Sequence, residues 1–366
     1  MGTIENRLGE VGTNAQRRTT SSRLPTIFDV ARLAGVGKTT VSDAIQGRGR
    51  MTPETRAHVL AVAEELGYRV HVGARNLIKQ RTEVIGVVVG DLFDPFCAEL
   101  TAHLELLAAQ RGFGMLLTTA GSDLAAEANA VTSLVEHRVA AIVVVSFTGN
   151  QSALHAAGSH MPVICIGYEG PYGVSIGVDD RRGGRLGTEH LLQLGHRHIG
   201  YVSNSGMPQK TDRDRRDSYR RVLRRAGISP DPQLIMRLPA PDKQERFARL
   251  REMLSRPDRP TAVFAVSDIT AIELMSCAGE LGLRVPEDLS VVGFDDIMVA
   301  SMPMIALTTV AQPMAELAQR GIDAAIALIE DPCADVAVQR AEPRLVVRGT
   351  TAAPPSDRAR RPAVSG

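Results

Sequence analysis

The sequence predicts a small all-α unit followed by an α/β core large enough for two doubly wound parallel sheets. Three observations carry this. Between Pro25 and Gly67 the apolar residues recur at helical spacing in three short pieces. From Val84 onward, short β-rich runs alternate with amphipathic stretches, the pattern of strands covered by crossover helices. That second region spans about 265 residues, long for one such sheet and comfortable for two.

In the first unit, Ile27, Val30, Ala31 and Ala34 fall at i, i+3, i+4 and i+7 behind Thr26 as N-cap, with Asp29 placed to complete a capping box. Gly35 ends that helix. A second begins near Lys38 and buries Val41, Ala44 and Ile45, which turns Thr39, Ser42, Asp43 and Gln46 to water. A third opens on Thr52 and Pro53, buries Val59, Val62, Ala63 and Leu66, and closes at Gly67. Helices this short hide little surface, so the unit is expected to be only marginally stable alone.

In the core the strands read from the sequence are 84–89, 115–119, 141–145, 163–166, 198–202, 262–266, 290–294 and 344–347, with helical segments at 96–111, 182–194, 214–226 and 269–281. Residues 1–24 and 352–366 are polar, Pro- or Arg-rich and without period, and read as disordered tails.

Composition narrows the function classes. No apolar run approaches the roughly 18 residues a membrane helix needs, and residues 1–24 lack the apolar stretch of a secretory signal, so a cytoplasmic protein is expected. Cys97, Cys165, Cys277 and Cys333 lie far apart with no metal-ligand spacing and read as reduced thiols; no metal or cofactor is expected. The net charge of +1 conceals an asymmetry: residues 1–81 carry 13 Lys and Arg against 7 Asp and Glu, or +6, leaving −5 for the remainder. A basic front end on an acidic body suits a module that neutralises phosphates, though a solvated basic face would look the same.

TIFDVARLAGVGKTTVSDAI at 26–45, MTPETRAHVLAVAEELGYR, RTEVIGVVV, the DPF at 94–96, GGRLGTEHLLQLGHRHIGYV at 183–202, AVFAVSD, GLRVPEDLSVVGFDD at 282–296 and LTTVAQP at 307–313 together resemble the LacI/GalR family of bacterial repressors, in family order, over residues 25 to 350. The resemblance implies a helix-turn-helix DNA-binding domain at 25–70, a hinge helix at 71–81, and a periplasmic-binding-protein-like core at 82–351. In that core an N-subdomain takes 82–178 plus 311–340 and a C-subdomain takes 179–310 plus 341–351. It further implies a homodimer on a palindromic double-stranded operator and a small polar effector in the cleft between subdomains, a sugar or related metabolite.

Helix-turn-helix geometry puts the start of the second helix in the major groove. Lys38 and Thr39 match the family positions that read base edges, Thr40 and Ser42 those that bind phosphate, and Arg48 and Arg50 in the GRGR loop are further phosphate contacts. Asp43 stands where Arg is common. A carboxylate near phosphates is repelled, so it is expected to accept from a cytosine amino group or to pair with a basic neighbour, and the operator to differ from the usual half-site. Gly37 replaces a Ser cap. In the hinge, Leu77 matches the leucine that wedges into the minor groove, while Gly73 weakens the helix and Val70 and His71 replace Pro-Asn.

For the effector the resemblance implies Phe93, Phe96, Arg215, Asp268, Asp295 and Gln312. A guanidinium that donates opposite a carboxylate that accepts suits a polyhydroxy ligand. Gly167 in place of an Asp, Met314 in place of an aromatic, and the absence of Trp weaken a sugar and leave a nucleoside or other polar metabolite open. An enzyme is disfavoured because no phosphate-cradling Gly loop follows a strand and His190, His196 and His198 lack a paired nucleophile; the two latter read as helix-end and strand-start residues. An exported solute-binding protein would have no use for the N-terminal module.

Overall fold

The computed structural model describes residues 24–68, 82–121, 123–145, 151–167, 172–204, 209–239 and 242–355. The chain divides into two compact units, residues 1–80 and 81–366. The hinge reading at 71–81, with Val70, His71, Gly73 and Leu77, lies outside the described residues. The same holds for 1–23 and 356–366 of the tails.

The first unit holds α1 (Ile27–Leu33), α2 (Lys38–Gln46) and α3 (Pro53–Glu65). Asp29 accepts from the Thr26 backbone N–H at 2.9 Å, and the Thr52 hydroxyl accepts from the Thr55 N–H at 3.2 Å, so side chains satisfy donors at two helix starts. The core is small: Val30, Ala34, Val41, Ala44, Val59 and Ala63, with Ile45, Val62 and Leu66 only half-buried around it.

The second unit contains two six-stranded sheets. The first is built from β1 (Val84–Val89), β2 (Gly114–Thr119), β3 (Ala141–Val145), β4 (Val163–Ile166), β5 (Val174–Val178) and β11 (Gln339–Ala341), in the order β11-β5-β4-β3-β1-β2. The second takes β6 (Ile199–Asn204), β7 (Ile235–Leu238), β8 (Ala262–Ala265), β9 (Ser290–Asp295), β10 (Thr308–Ala311) and β12 (Arg344–Val346), in the order β12-β10-β9-β8-β6-β7. All pairings are parallel except β10 with β12, a difference from the all-parallel reading. Runs such as VIGVVV and AIVVV are apolar throughout because both faces are covered by helices.

The first sheet is flanked by α4 (Pro95–Gln110), α5 (Leu124–Glu136), α6 (Gln151–Gly158) and α11 (Met314–Glu330). The second is flanked by α7 (Asp180–Gln193), α8 (Gln209–Arg225), α9 (Lys243–Leu254) and α10 (Asp268–Glu280). The chain passes between sheets at 178–180, 311–314 and 341–344, with Ala341 still held by the first sheet against the reading that put it in the second part. Strands β5, β7, β10 and β11 were not among those read from the sequence. Residues 352–355 are not tail: the Ala352 carbonyl accepts from His196 Nε2 at 2.9 Å, its N–H donates to Ser290 Oγ at 3.0 Å, and Pro354 lies beside Gly195.

The run GGRLG seats α7. An added Cβ at Gly183 would fall 2.4 Å from the Phe294 ring, and at Gly187 2.9 Å from the Phe264 ring. At Gly184 it would lie 2.6 Å from the Arg215 carbonyl oxygen and 3.0 Å from Ser218 Cβ. Backbone cannot retreat as a side-chain tip can, so Gly184→Ala is expected to cost about 1–3 kcal/mol in urea denaturation of the full chain. Gly279→Ala, in a helix with nothing within 4 Å of the new carbon, is expected to gain about 0.5–1 kcal/mol. Equal effects at the two sites would contradict this packing.

Candidate nucleic-acid interface and effector cleft

On the first unit Lys38 and Thr39 are exposed at the start of α2, while Thr40, Ser42 and Asp43 are half-buried behind them. Gly37 caps α2 in extended conformation with no side-chain acceptor. Lys38 Nζ lies 5.0 Å from the centroid of the exposed Phe28 ring, and Ser42 Oγ accepts from Gln46 Nε2 at 3.0 Å. Arg48 and Arg50 are exposed in the loop after α2, and that loop is fastened twice: Arg48 N–H donates to the Asp43 carbonyl at 2.9 Å, and Arg56 donates to the Arg48 carbonyl at 3.1 Å. Asp43 has a neighbour the sequence did not disclose. Gly49 sits at φ 79°, and a Cβ there would be 2.9 Å from the Asp43 carboxylate. Among the described residues no ion pair engages Asp43; its side chain packs on a glycine.

On the second unit the candidate cleft lies at the carboxyl ends of the strands, where doubly wound sheets place ligands. Both sheets share one winding, β2-β1-β3-β4-β5 and β7-β6-β8-β9-β10, so the turns after β1, β8 and β9 occupy equivalent edges. Arg215 is almost wholly buried. Its Nε donates to Asp180 Oδ1 at 2.8 Å, its Nη1 to the Val266 carbonyl at 2.6 Å, and its guanidinium carbon stands 3.4 Å from the centroid of the Phe294 ring. Among the described residues Nη2 has no partner. Burial pushes the Asp180 carboxyl up against the opposing pull of Arg215.

Asp295 ends β9 at φ 122° and Asp296 follows at φ 61°, two non-glycine residues in a costly conformation of the kind that clusters at ligand sites. Gln312 Nε2 donates to Asp295 Oδ1 at 2.7 Å and its N–H to the Asp295 carbonyl at 3.1 Å, so the two form one unit. Burial holds the Asp295 carboxyl well above the usual range; Arg215 opposes this, while Asp268 and Asp94 add to it. Asp94, which the sequence reading passed over inside DPF, thus belongs to this cluster, and it also caps α4 by accepting from the Phe96 N–H at 3.0 Å. Asp180 was likewise missed; an acidic residue opening a helix carries no distinguishing signal.

Two expected effector residues serve other ends. Asp268 is fully buried with both oxygens taken, Oδ1 by the Thr309 hydroxyl at 2.5 Å and Oδ2 by the Ile297 N–H at 3.0 Å, so it holds the turn after β9 in place. Phe96 is buried in the hydrophobic cluster with Cys97 and Leu100, because α4 turns that face to the sheet. Phe93 projects from the turn after β1 at 95% exposure. His196, read as a helix-end residue without a paired nucleophile, lies beside two buried hydroxyls, Thr261 at 3.0 Å and Ser290 at 3.1 Å, and with Ser290 it anchors the segment at Ala352.

A profile of bacterial regulatory proteins, lacI family, matches residues 26–70, and one of a periplasmic binding protein-like domain matches 188–351. The chain is 33% identical over 304 residues to the HTH-type transcriptional regulator DegA of Bacillus subtilis, covering 80% of this chain and 88% of that one. It is 32% identical over 337 residues to the HTH-type transcriptional regulator GalR of Escherichia coli, covering 90% and 97%. Among solved structures it resembles the lac repressor dimer bound to operator and the anti-inducer ONPF, with a TM-score of 0.80 at 29% identity, covering 90% and 100%. It also resembles the regulator CelR in complex with cellobiose, with a TM-score of 0.65 at 29% identity, covering 89% and 99%.

Burial pushes the Asp268 carboxyl up to about 7, against the hydrogen bonds from Thr309 and the Ile297 N–H. The folded state therefore binds this proton more tightly than the unfolded state, whose carboxyl titrates near about 4. The stability it contributes is complete below that value and is lost as the pH rises through about 7. Urea midpoints of wild type and Asp268→Asn should therefore differ most in the wild type's favour at acid pH, the difference shrinking as the pH rises from about 4 to about 7 and levelling off above that. A pH-independent difference would show that the carboxyl does not titrate in this window.

Proposed function

The chain belongs to the LacI/GalR family of DNA-binding bacterial transcriptional regulators, and from that premise we propose that it is a repressor whose operator affinity is set by a small polar effector in the core cleft. We infer that it works as a homodimer on a palindromic double-stranded operator; the lac repressor structure it resembles is a dimer bound to operator, which supports this. The observation that carries the reading is one chain bearing both an exposed Lys38 and Thr39 at the head of a second helix and a buried Arg215 beside an Asp295–Gln312 pair.

In this reading Lys38, Thr39 and Asp43 meet base edges, Thr40, Ser42, Arg48 and Arg50 hold phosphates, and Leu77 wedges the minor groove. The domain limits proposed are 25–70, 71–81 and 82–351. Arg215 donates and Asp295 accepts at neighbouring hydroxyls of the effector, with Gln312 orienting the carboxylate and the exposed Phe93 closing over the ligand. A sugar or related metabolite fits this donor and acceptor pair; the cellobiose complex of a 29% identical relative supports the sugar class. The relatives named above are regulators, and the proposed role requires no catalysis.

Selection of duplexes from a random pool by the purified full-length protein, at one stated salt concentration, should recover a palindrome. Asp43→Ala should then change the preferred base at one position of each half-site, by about 1–3 kcal/mol of discrimination. Uniformly tighter binding to all sequences would remove Asp43 from base reading and leave it as the support of Gly49.

A further inference from the structure

The acidic core carries one strongly basic face. On α8, Asp217, Arg220, Arg221, Arg224 and Arg225 fall at i, i+3, i+4, i+7 and i+8 and form a single stripe. Beside it, Arg181, Arg182 and Arg185 line the first turns of α7. Between the two helices runs a groove of about 320 Å³, walled by the three α7 arginines and by Arg221 and Arg225, with the buried Ser218 among its lining residues. A second hollow of about 580 Å³ continues along α8 and shares Arg221 and Arg225.

Internal pairing neutralises only part of this charge. Arg181 meets Asp214 at 3.2 Å, Arg182 meets Glu342 at 3.0 Å, and Arg220 meets Asp217 at 3.5 Å. Arg185, Arg221, Arg224 and Arg225 are exposed and, among the described residues, have no acidic partner. Arg182 Nε is buried and, among the described residues, has no hydrogen-bond partner. Asp179, the one carboxylate among the described residues that line the groove, is engaged as the cap of α7, accepting from the Arg182 N–H at 2.9 Å.

Helix polarity explains only some of these positions. Arg224 and Arg225 stabilise the carboxyl end of α8, but Arg181 and Arg182 sit at the end of α7 where the dipole disfavours cations. Of the eleven Lys and Arg on the two helices, ten are Arg, the side chain whose planar fork fits phosphoryl oxygens. The close seating of α7 on α8 at Gly184 fixes the groove's width. Its volume is that of a small-ligand site.

We propose that this groove is a second ligand site, separate from the effector cleft, for a small anion bearing two or more phosphoryl groups. Arg221 and Arg225 grip one phosphoryl group and Arg181, Arg182 and Arg185 the next. The proposal does not depend on the reading of the cleft.

The test is calorimetric titration of the full-length protein at low salt with inorganic pyrophosphate and, separately, ATP, with sulfate at matched ionic strength as control. Saturable pyrophosphate binding is expected, weakened about tenfold or more in Arg221→Ala/Arg225→Ala, partly restored in Arg221→Lys/Arg225→Lys, and unchanged in Arg251→Ala, whose residue pairs with Glu280 elsewhere. Tighter binding of ATP would identify a nucleotide as the source of the phosphoryl groups, and equal or weaker binding an inorganic polyphosphate. No saturable pyrophosphate binding at millimolar concentration, or binding that the double alanine variant leaves intact, overturns the proposal. So does affinity for operator-free duplex DNA lost in the double variant with no pyrophosphate bound, which would make the face a nucleic-acid surface.

Discussion

A guanidinium removed from water needs compensating partners, and the second sheet is arranged around that requirement at Arg215, which leaves only Nη2 unpartnered among the described residues. Asp180 reaches it from α7, the Val266 carbonyl from the end of β8, and the Phe294 ring from β9. None of these groups is near another in sequence. They meet because α7 and α8 approach closely at Gly184, an approach that an added methyl would strain. Removing the arginine would leave the half-buried Asp180 without its ion-pair partner, so the proposed site and the fold share one interaction.

From that anchor the rest of the cleft follows. With Phe294 under the guanidinium, the next residue, Asp295, is carried to the strand end beside it and is held by Gln312 from the start of the passage back to the first sheet. Asp268 and Thr309 fix the turn below, and Arg348 pairs with Asp296 at 2.5 Å. Burial raises the carboxyls of Asp180, Asp268 and Asp295 alike, and Arg215 opposes the rise at Asp180 and Asp295. A ligand hydroxyl offered there would find an unpartnered donor and a carboxylate short of cations.

Much of this architecture was legible in the sequence, and the exceptions have physical causes. Continuous apolar strands such as VIGVVV and VICI announce burial on both faces, and GGRLG announces close packing. Strands β5, β7, β10 and β11 were missed because VSIGV, IMRL, TTVA and QRA are short and carry Gly, Arg, Thr or Gln; neighbouring strands, not their own periodicity, make them strands. Arg215, Asp295 and Gln312 were proposed from their motifs, and the structure pairs Gln312 with Asp295 and buries Arg215. Asp268 looked the same in sequence, and only Thr309, distant in the chain, reveals that its oxygens are engaged. Asp43 was read as a charge near phosphates, whereas its support of Gly49 depends on a turn that one-dimensional spacing does not show.

The central claim, that Arg215 joins the ligand to the fold, is tested most directly by thermal denaturation of full-length wild type and Arg215→Lys, each with a series of mono- and disaccharides and nucleosides. Lys keeps the charge and the pairing with Asp180 but lacks the second fork of the guanidinium. The account predicts a compound that raises the melting temperature of the wild type and not that of the variant. A compound that stabilises both equally would contradict it.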